Sequence, residues 1–214
     1  MIQFEKLGIF LSKPVAYLLM VIYLTQSVVL AFLLVDKYNL EQQINFQQRR
    51  ITELEEKLQI LKAIGDFQIG FNDEEVRELT NVVYSESKKY QYDPMFILAI
   101  ILTESTFKRG EVSPTGARGL MQVAPVTGED MAPRAGVDWE GLSTLSHPGA
   151  NIKLGTAYLF EKILEFKDIK KALLAYNLGE TRLRTLLKNK DPLPSAYLNK
   201  VISNYRMLKE TYKA

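Results

Sequence analysis

The chain has no cysteine, and His147 is its only histidine. The first absence excludes disulfides, thiolate metal sites and thiol nucleophiles. The second leaves a histidine metal cluster or a Ser-His triad almost nothing to be built from. No metal or other cofactor is expected, and any chemistry must come from carboxylates, hydroxyls, amides or lysines. An excess of charge of one sign is also lacking: 27 Lys/Arg against 25 Asp/Glu leave a net charge of +2. That small figure hides an imbalance, since from Lys167 onward eleven Lys/Arg stand against four Asp/Glu. Such an excess reads as a solvated basic face or as attraction to an anionic polymer or membrane surface. Nucleic acid is not an expected partner, because no recognised binding motif accompanies the charge.

Against these absences stands one long uncharged run. Residues 14–35, PVAYLLMVIYLTQSVVLAFLLV, contain no charged residue. Twenty-two residues at about 1.5 Å each span roughly 33 Å, the thickness of a bilayer's hydrocarbon core. The run leaves through Leu-Val-Asp-Lys rather than a small-x-small cleavage site, so it reads as a retained transmembrane anchor rather than a signal peptide. Lys6 and Lys13 precede it while Lys37, Arg49 and Arg50 follow, so flanking charge does not decide its orientation.

Residues 36–66 read as a helical stalk. Leu40, Ile44, Gln47, Ile51, Leu54, Leu58 and Leu61 fall on alternating steps of four and three, the seam of a coiled coil. A homodimer through residues 40–61 is one reading, favoured if the membrane concentrates two chains. A single helix lying against its own domain is the other. Gly65 and Gly70 mark an expected domain boundary near 65–72, with a domain at 72–214.

That last segment reads as all helix. Asn72 with Glu75 forms a capping box before a helix to about Tyr90, and Asp93-Pro94 starts a second one. Further helices are expected at about 149–166, 168–178, 181–189 and 195–212, with breaks at Gly110, Gly128, Gly136, Gly141, Gly179 and Pro192-Leu-Pro194. The helix PMFILAIILTES is apolar almost all round and so should be buried, yet Glu104 occupies its last turn. Burial and the negative end of the helix dipole both disfavour the ionised form there. Glu104 is then either paired with a base such as Lys108 or kept protonated as a proton donor.

The residues after Glu104 carry a resemblance. Glu104-Ser105, then Ser113, Gly116-Ala117 and Gly119-Leu120-Met121-Gln122, are followed by Asn151-Ile152, Gly155 and Tyr158-Leu159, and by Ala175-Tyr176-Asn177 with Gly179. Together, over about residues 80–210, they resemble the soluble lytic transglycosylase family, which shares the goose-type lysozyme fold. The resemblance implies an all-α, lysozyme-like domain in which Glu104 is the sole catalytic acid/base. It further implies substrate contacts from Ser113 and Gln122, from Tyr176 and Asn177 on the opposite wall, and from Tyr197 closing the cleft. The implied substrate is peptidoglycan, cut between N-acetylmuramic acid and N-acetylglucosamine without water to leave a 1,6-anhydro end. An extracytoplasmic substrate places residues 1–13 in the cytoplasm and the domain outside a bacterial inner membrane that is crossed once. Ala124 replaces the family's usual second Met, Pro194-Ser195-Ala196-Tyr197 departs from Glu-Thr-x-x-Tyr, and His147-Pro148 replaces Asp-Pro. A hydrolytic lysozyme of the same fold, using Asp130 or Asp138 to activate water, and a non-catalytic wall-docking module are the alternatives.

Overall fold

A computed structural model describes residues 2–4 and 9–212. The chain divides into two compact units, Met1–Glu53 and Leu54–Ala214.

In the first unit, β1 (Ile2–Phe4) pairs antiparallel with β2 (Ile9–Leu11), Ile2 facing Leu11 in register. The charge comparison across the apolar run included Lys6, which lies outside the described residues. Helix α1 (Lys13–Phe67) begins directly afterwards and contains the whole run 14–35. Its most apolar window has a mean hydropathy of 2.5 and no buried residue, so it is long and apolar enough to cross a membrane. The polar interruption is absorbed inside the helix: the Thr25 and Ser27 hydroxyls donate to the carbonyls of Ile22 and Tyr23, at 2.9 and 2.8 Å.

The second unit starts earlier than the glycines suggested. Helix α1 continues through Gly65, and Ile60, Ala63 and Ile64 are fully buried in the unit's core. Residues 54–67 are thus part of the folded domain, because one face of the helix carries apolar groups that the domain covers. This face departs from the heptad seam at Leu54 and Leu58, which remain 59 % and 49 % exposed, and meets it only at Leu61, which packs against the core.

The helices that follow carry their caps in the sequence. In α2 (Asp73–Tyr90) the Asn72 side chain accepts from the amides of Glu74 and Glu75, and Glu75 returns a bond to the Asn72 amide. Asp93 accepts from the Met95 amide to open α3 (Pro94–Glu104), whose residues from Ile97 to Thr103 are all buried. Next come α4 (Pro125–Ala135), α5 (Leu142–Ser146), α6 (Pro148–Phe166), α7 (Ile169–Leu178), α8 (Glu180–Asn189) and α9 (Ala196–Thr211).

Two of these helices, α4 and α5, differ from expectation. Gly128 does not break the chain but lies inside α4, and a Cβ there would come within 2.8–2.9 Å of Trp139 and Leu145. Its smallness serves close packing, a contact that spacing along the chain does not display. The central helix α3 packs chiefly against α9, and α6 against α2, α4 and α7. The last turn of α3 is thereby set beside the start of α9 and the loop 105–124.

Candidate active site

The loop after Glu104 is built from side chains that return to its backbone. Ser105 is buried and donates to the Leu120 carbonyl at 2.9 Å, tying the end of α3 to the Gly-Leu-Met-Gln stretch. Asn151, on the first turn of α6 and fully buried, accepts from the Met121 amide at 2.8 Å and donates to the carbonyls of Arg118 and Leu145. Gly119 has φ +77°, and a Cβ there would come within 2.7 Å of the Leu145 carbonyl and closer still to the Asn151 amide. A Cβ on Gly155 would meet Met121 at 2.7 Å and the Tyr176 hydroxyl at 3.0 Å. These glycines and Asn151 form one interlock between α6, the loop and α7. Its hydrogen bonds are buried, where an unpaired partner is expensive.

Glu104 lies at the end of α3, mostly out of solvent. The Tyr197 hydroxyl, from the first turn of α9, donates to Glu104 Oε1 at 2.6 Å. Two further α9 residues hold the preceding residue: the Lys200 ammonium donates to the Thr103 carbonyl at 3.1 Å, and Asn204 to the Thr103 hydroxyl at 2.9 Å. Tyr197, Lys200 and Asn204 follow helical spacing and form one clamp on the end of α3. Burial raises the Glu104 pKa, and the Tyr197 bond and the Lys200 charge pull it only partly back. Lys108, the partner considered for Glu104, instead pairs with Glu111 at 2.8 Å. Burial and the nearby Glu104 push the Tyr176 and Tyr197 phenols well up, so both remain neutral donors at any ordinary pH.

Three of the other site residues expected from the sequence share a cleft of about 520 Å³: Gln122, Tyr176 and Asn177, with Tyr158, Thr115 and Arg182 also on its walls. Tyr176 anchors one wall through a 2.7 Å bond from its hydroxyl to the Met121 carbonyl, and its ring tilts against Tyr158 at 5.4 Å. Gln122 has a positive φ of 46°, and its amide donates back to the carbonyls of Glu111 and Gly119. Asn177 is exposed at the C-terminal end of α7. Ser113 lies outside the lining: its hydroxyl accepts from the Ala117 amide at 3.0 Å and meets Thr115, which folds the loop. Glu104 and Tyr197 are not among the lining residues, but Tyr176, which is, feels the Glu104 charge.

No acid lines this cleft among the described residues. Asp130 is paired with Arg134 on α4 at 2.6 Å, and Asp138 lines a separate cleft beside Glu78 and His147. No group of three or more potential metal ligands occurs among the described residues. Lys200, Asn204 and Arg182 were not singled out by the sequence motifs, and Tyr158 stood in a motif without an assigned role. The i, i+3 and i+7 spacing of Tyr197, Lys200 and Asn204 was the available signal for the α9 pair.

The transglycosylase SLT domain family model matches residues 81–205, more than half of the chain and all of the site just described. A transglycosylase of Enterobacteria phage PRD1 is 31 % identical over 122 residues, 57 % of this chain and 41 % of that protein. Membrane-bound lytic murein transglycosylase C of Actinobacillus pleuropneumoniae is 38 % identical over 92 residues, 42 % of this chain and 25 % of that one. This chain therefore spans less than half the length of the relatives it matches. Among solved structures, the 70 kDa soluble lytic transglycosylase SLT70 of Escherichia coli aligns over 62 % of this chain and 24 % of its own, with a TM-score of 0.56 and 23 % identity, a likeness of fold. With the helical architecture, the capped loop and the matched span in agreement, the chain belongs to the transglycosylase SLT domain family.

Proposed function

We propose that this protein is a membrane-anchored lytic transglycosylase that cleaves the β-1,4 bond between N-acetylmuramic acid and N-acetylglucosamine in peptidoglycan. One observation carries the reading: a carboxylic acid mostly out of solvent, Glu104, is held by Tyr197 near Tyr176 of a cleft whose lining supplies no other acid among the described residues. Most glycosidases that use water or a covalent intermediate place two carboxylates across the scissile bond. Here one group serves in both directions. Protonated Glu104 donates to the leaving glycosidic oxygen as the C1–O bond breaks, and the muramyl N-acetyl oxygen bonds to C1 in its place. The Glu104 carboxylate then takes the proton of the C6 hydroxyl. The C6 oxygen displaces the acetamido oxygen at C1 and closes the 1,6-anhydro ring, so no water is consumed.

The environment of Glu104 suits both halves of that cycle. Its raised pKa favours the protonated form, and the Tyr197 donor and Lys200 charge stabilise the carboxylate once the proton has left. Oε1 is occupied by Tyr197, while Oε2 takes no protein hydrogen bond among the described residues and so is the oxygen that carries the proton. Tyr176, Asn177 and Gln122 hold the sugars, Ser113 shapes the loop that faces them, and Tyr197 secures the acid.

Residues 14–35 are the anchor in this reading, crossing a bacterial inner membrane once with residues 1–13 in the cytoplasm and the domain in the periplasm. The length and apolarity of the run and the membrane-bound name of one relative support it. Leu40, Ile44, Ile51, Leu54 and Leu58 are all exposed, so the seam up to Leu58 is available to a second copy, whereas Leu61 packs against the domain core. Ile51→Glu would then turn a dimer into a monomer in sedimentation of the detergent-solubilised chain.

The reading is tested by digesting purified peptidoglycan with the detergent-solubilised full chain and with Glu104→Gln, then weighing the products. Muropeptides lighter by one water, absent with the variant, are the expected result. Reducing-end products would mean a hydrolase. Wall binding without products would mean a docking module.

A further inference from the structure

Around the junction of α7 and α8 the basic side chains divide sharply. Lys162 contacts Glu165 and Glu180 at 2.7 and 2.6 Å, and Arg184 pairs with the same two acids. These four residues tie α6 to α8 and neutralise one another. Arg182, two residues from both Glu180 and Arg184, takes no part: it has no ion pair, hydrogen bond or ring contact among the described residues. Instead it lines the cleft, and among the described residues it carries the only formal charge on that lining. It also stands in the first turn of a helix, where the macrodipole disfavours a cation, so it does not stabilise its own helix. Gly179, with φ +83°, turns the chain between Asn177 and α8, and Asn177, Gly179 and Arg182 all line the cleft.

Resting on the transglycosylase reading, we propose that Arg182 forms an anionic subsite that binds a carboxylate of the substrate. A glycan backbone of N-acetylhexosamines is neutral. In peptidoglycan the carboxylates lie on the muramyl side chain, either on the lactyl group itself or on the peptide stem attached to it. A guanidinium on the wall of a sugar cleft discriminates a muramyl-containing strand from a plain N-acetylglucosamine polymer by a planar, charge-assisted contact. It also fixes which way round a strand of alternating sugars lies, since only every second residue bears the acid.

Binding is measured by calorimetry with the full chain in detergent, in the Glu104→Gln background, so the result is readable whether or not the transglycosylase reaction is correct. Three soluble ligands are compared: stem-bearing strands, amidase-stripped strands whose lactyl carboxylate is bare, and N-acetylglucosamine oligomers. Arg182→Gln should weaken at least one muramyl ligand by about tenfold, leave the plain oligomer unchanged, and be partly restored by Arg182→Lys. Weakening confined to stem-bearing strands assigns the stem carboxylate, and weakening confined to stripped strands assigns the lactyl one. Unchanged affinity for both muramyl ligands, or equal weakening of all three, overturns the proposal.

Discussion

The Tyr197 hydroxyl donates to Glu104 Oε1 at 2.6 Å across 93 positions of sequence, joining the end of α3 to the start of α9. The bond acts against the effect of burial, because a donor favours the carboxylate while desolvation favours the acid. Tyr197→Phe therefore raises the Glu104 pKa further and leaves its oxygen without that donor. The expected outcome is a basic limb of the pH–rate profile moved to higher pH, with kcat lower by about tenfold at neutral pH. A profile that keeps its shape while the rate falls would show that Tyr197 does not tune the acid.

Replacing Glu104 itself separates stability from activity. Its folded pKa lies above the ordinary value of 4.5, so the folded state holds the proton more tightly than the unfolded chain does. The stability from that proton is fully present below pH 4.5 and is lost as pH rises through the folded pKa. Glu104→Gln keeps an acceptor for Tyr197 and cannot ionise. Its melting temperature should exceed that of the unmodified protein at neutral pH, and the difference should vanish in acid. Its activity should fall by at least about 10².

Asn151 makes no contact with the cleft yet supports its loop. Asn151→Ala removes three hydrogen bonds, two of them buried (with Met121 and Leu145) and one part-buried (with Arg118). A loss of about 3 kcal/mol is expected, read as a drop of about 6–12 °C in melting temperature. Activity measured well below the transition should fall as well, because Met121 also receives the Tyr176 bond.

Where the domain begins can be tested by truncation. A fragment starting at Asn72 lacks Ile60, Ala63 and Ile64, all fully buried. It should be less stable than one starting at Leu54 by roughly 4 kcal/mol, the burial of two isoleucines. Equal denaturation midpoints and slopes for the two fragments would place the boundary back at the glycines.

Much of the helical scaffold was legible because its signals are local. Asn72 with Glu75, and Asp93 with Pro94, announce α2 and α3 within four residues, and their caps form as expected. His147 likewise caps α6, its Nδ1 accepting from the Ala150 amide at 3.3 Å. The position of α4 was not legible, because Gly128 serves a contact with Trp139 and Leu145 that depends on the fold. Gly65 misled for a related reason: a glycine permits a break, but the burial of Ile64 beside it favours helix.

The candidate site divides along the same line. By itself the sequence determined that an acid would sit at the end of an apolar helix and that loops rich in glycine would follow it. It also determined that no thiol and no histidine cluster could take the acid's place. Only the tertiary structure decided that Tyr197, Lys200 and Asn204 clamp α3, that Ser113 folds its own loop, and that Arg182 stands unpaired in the cleft. The physical reason is range. Caps, helix periods and turns are settled by neighbours a few residues away, whereas a pKa and a cleft wall are set by groups brought together from α3, α7 and α9, whose proximity no local pattern encodes.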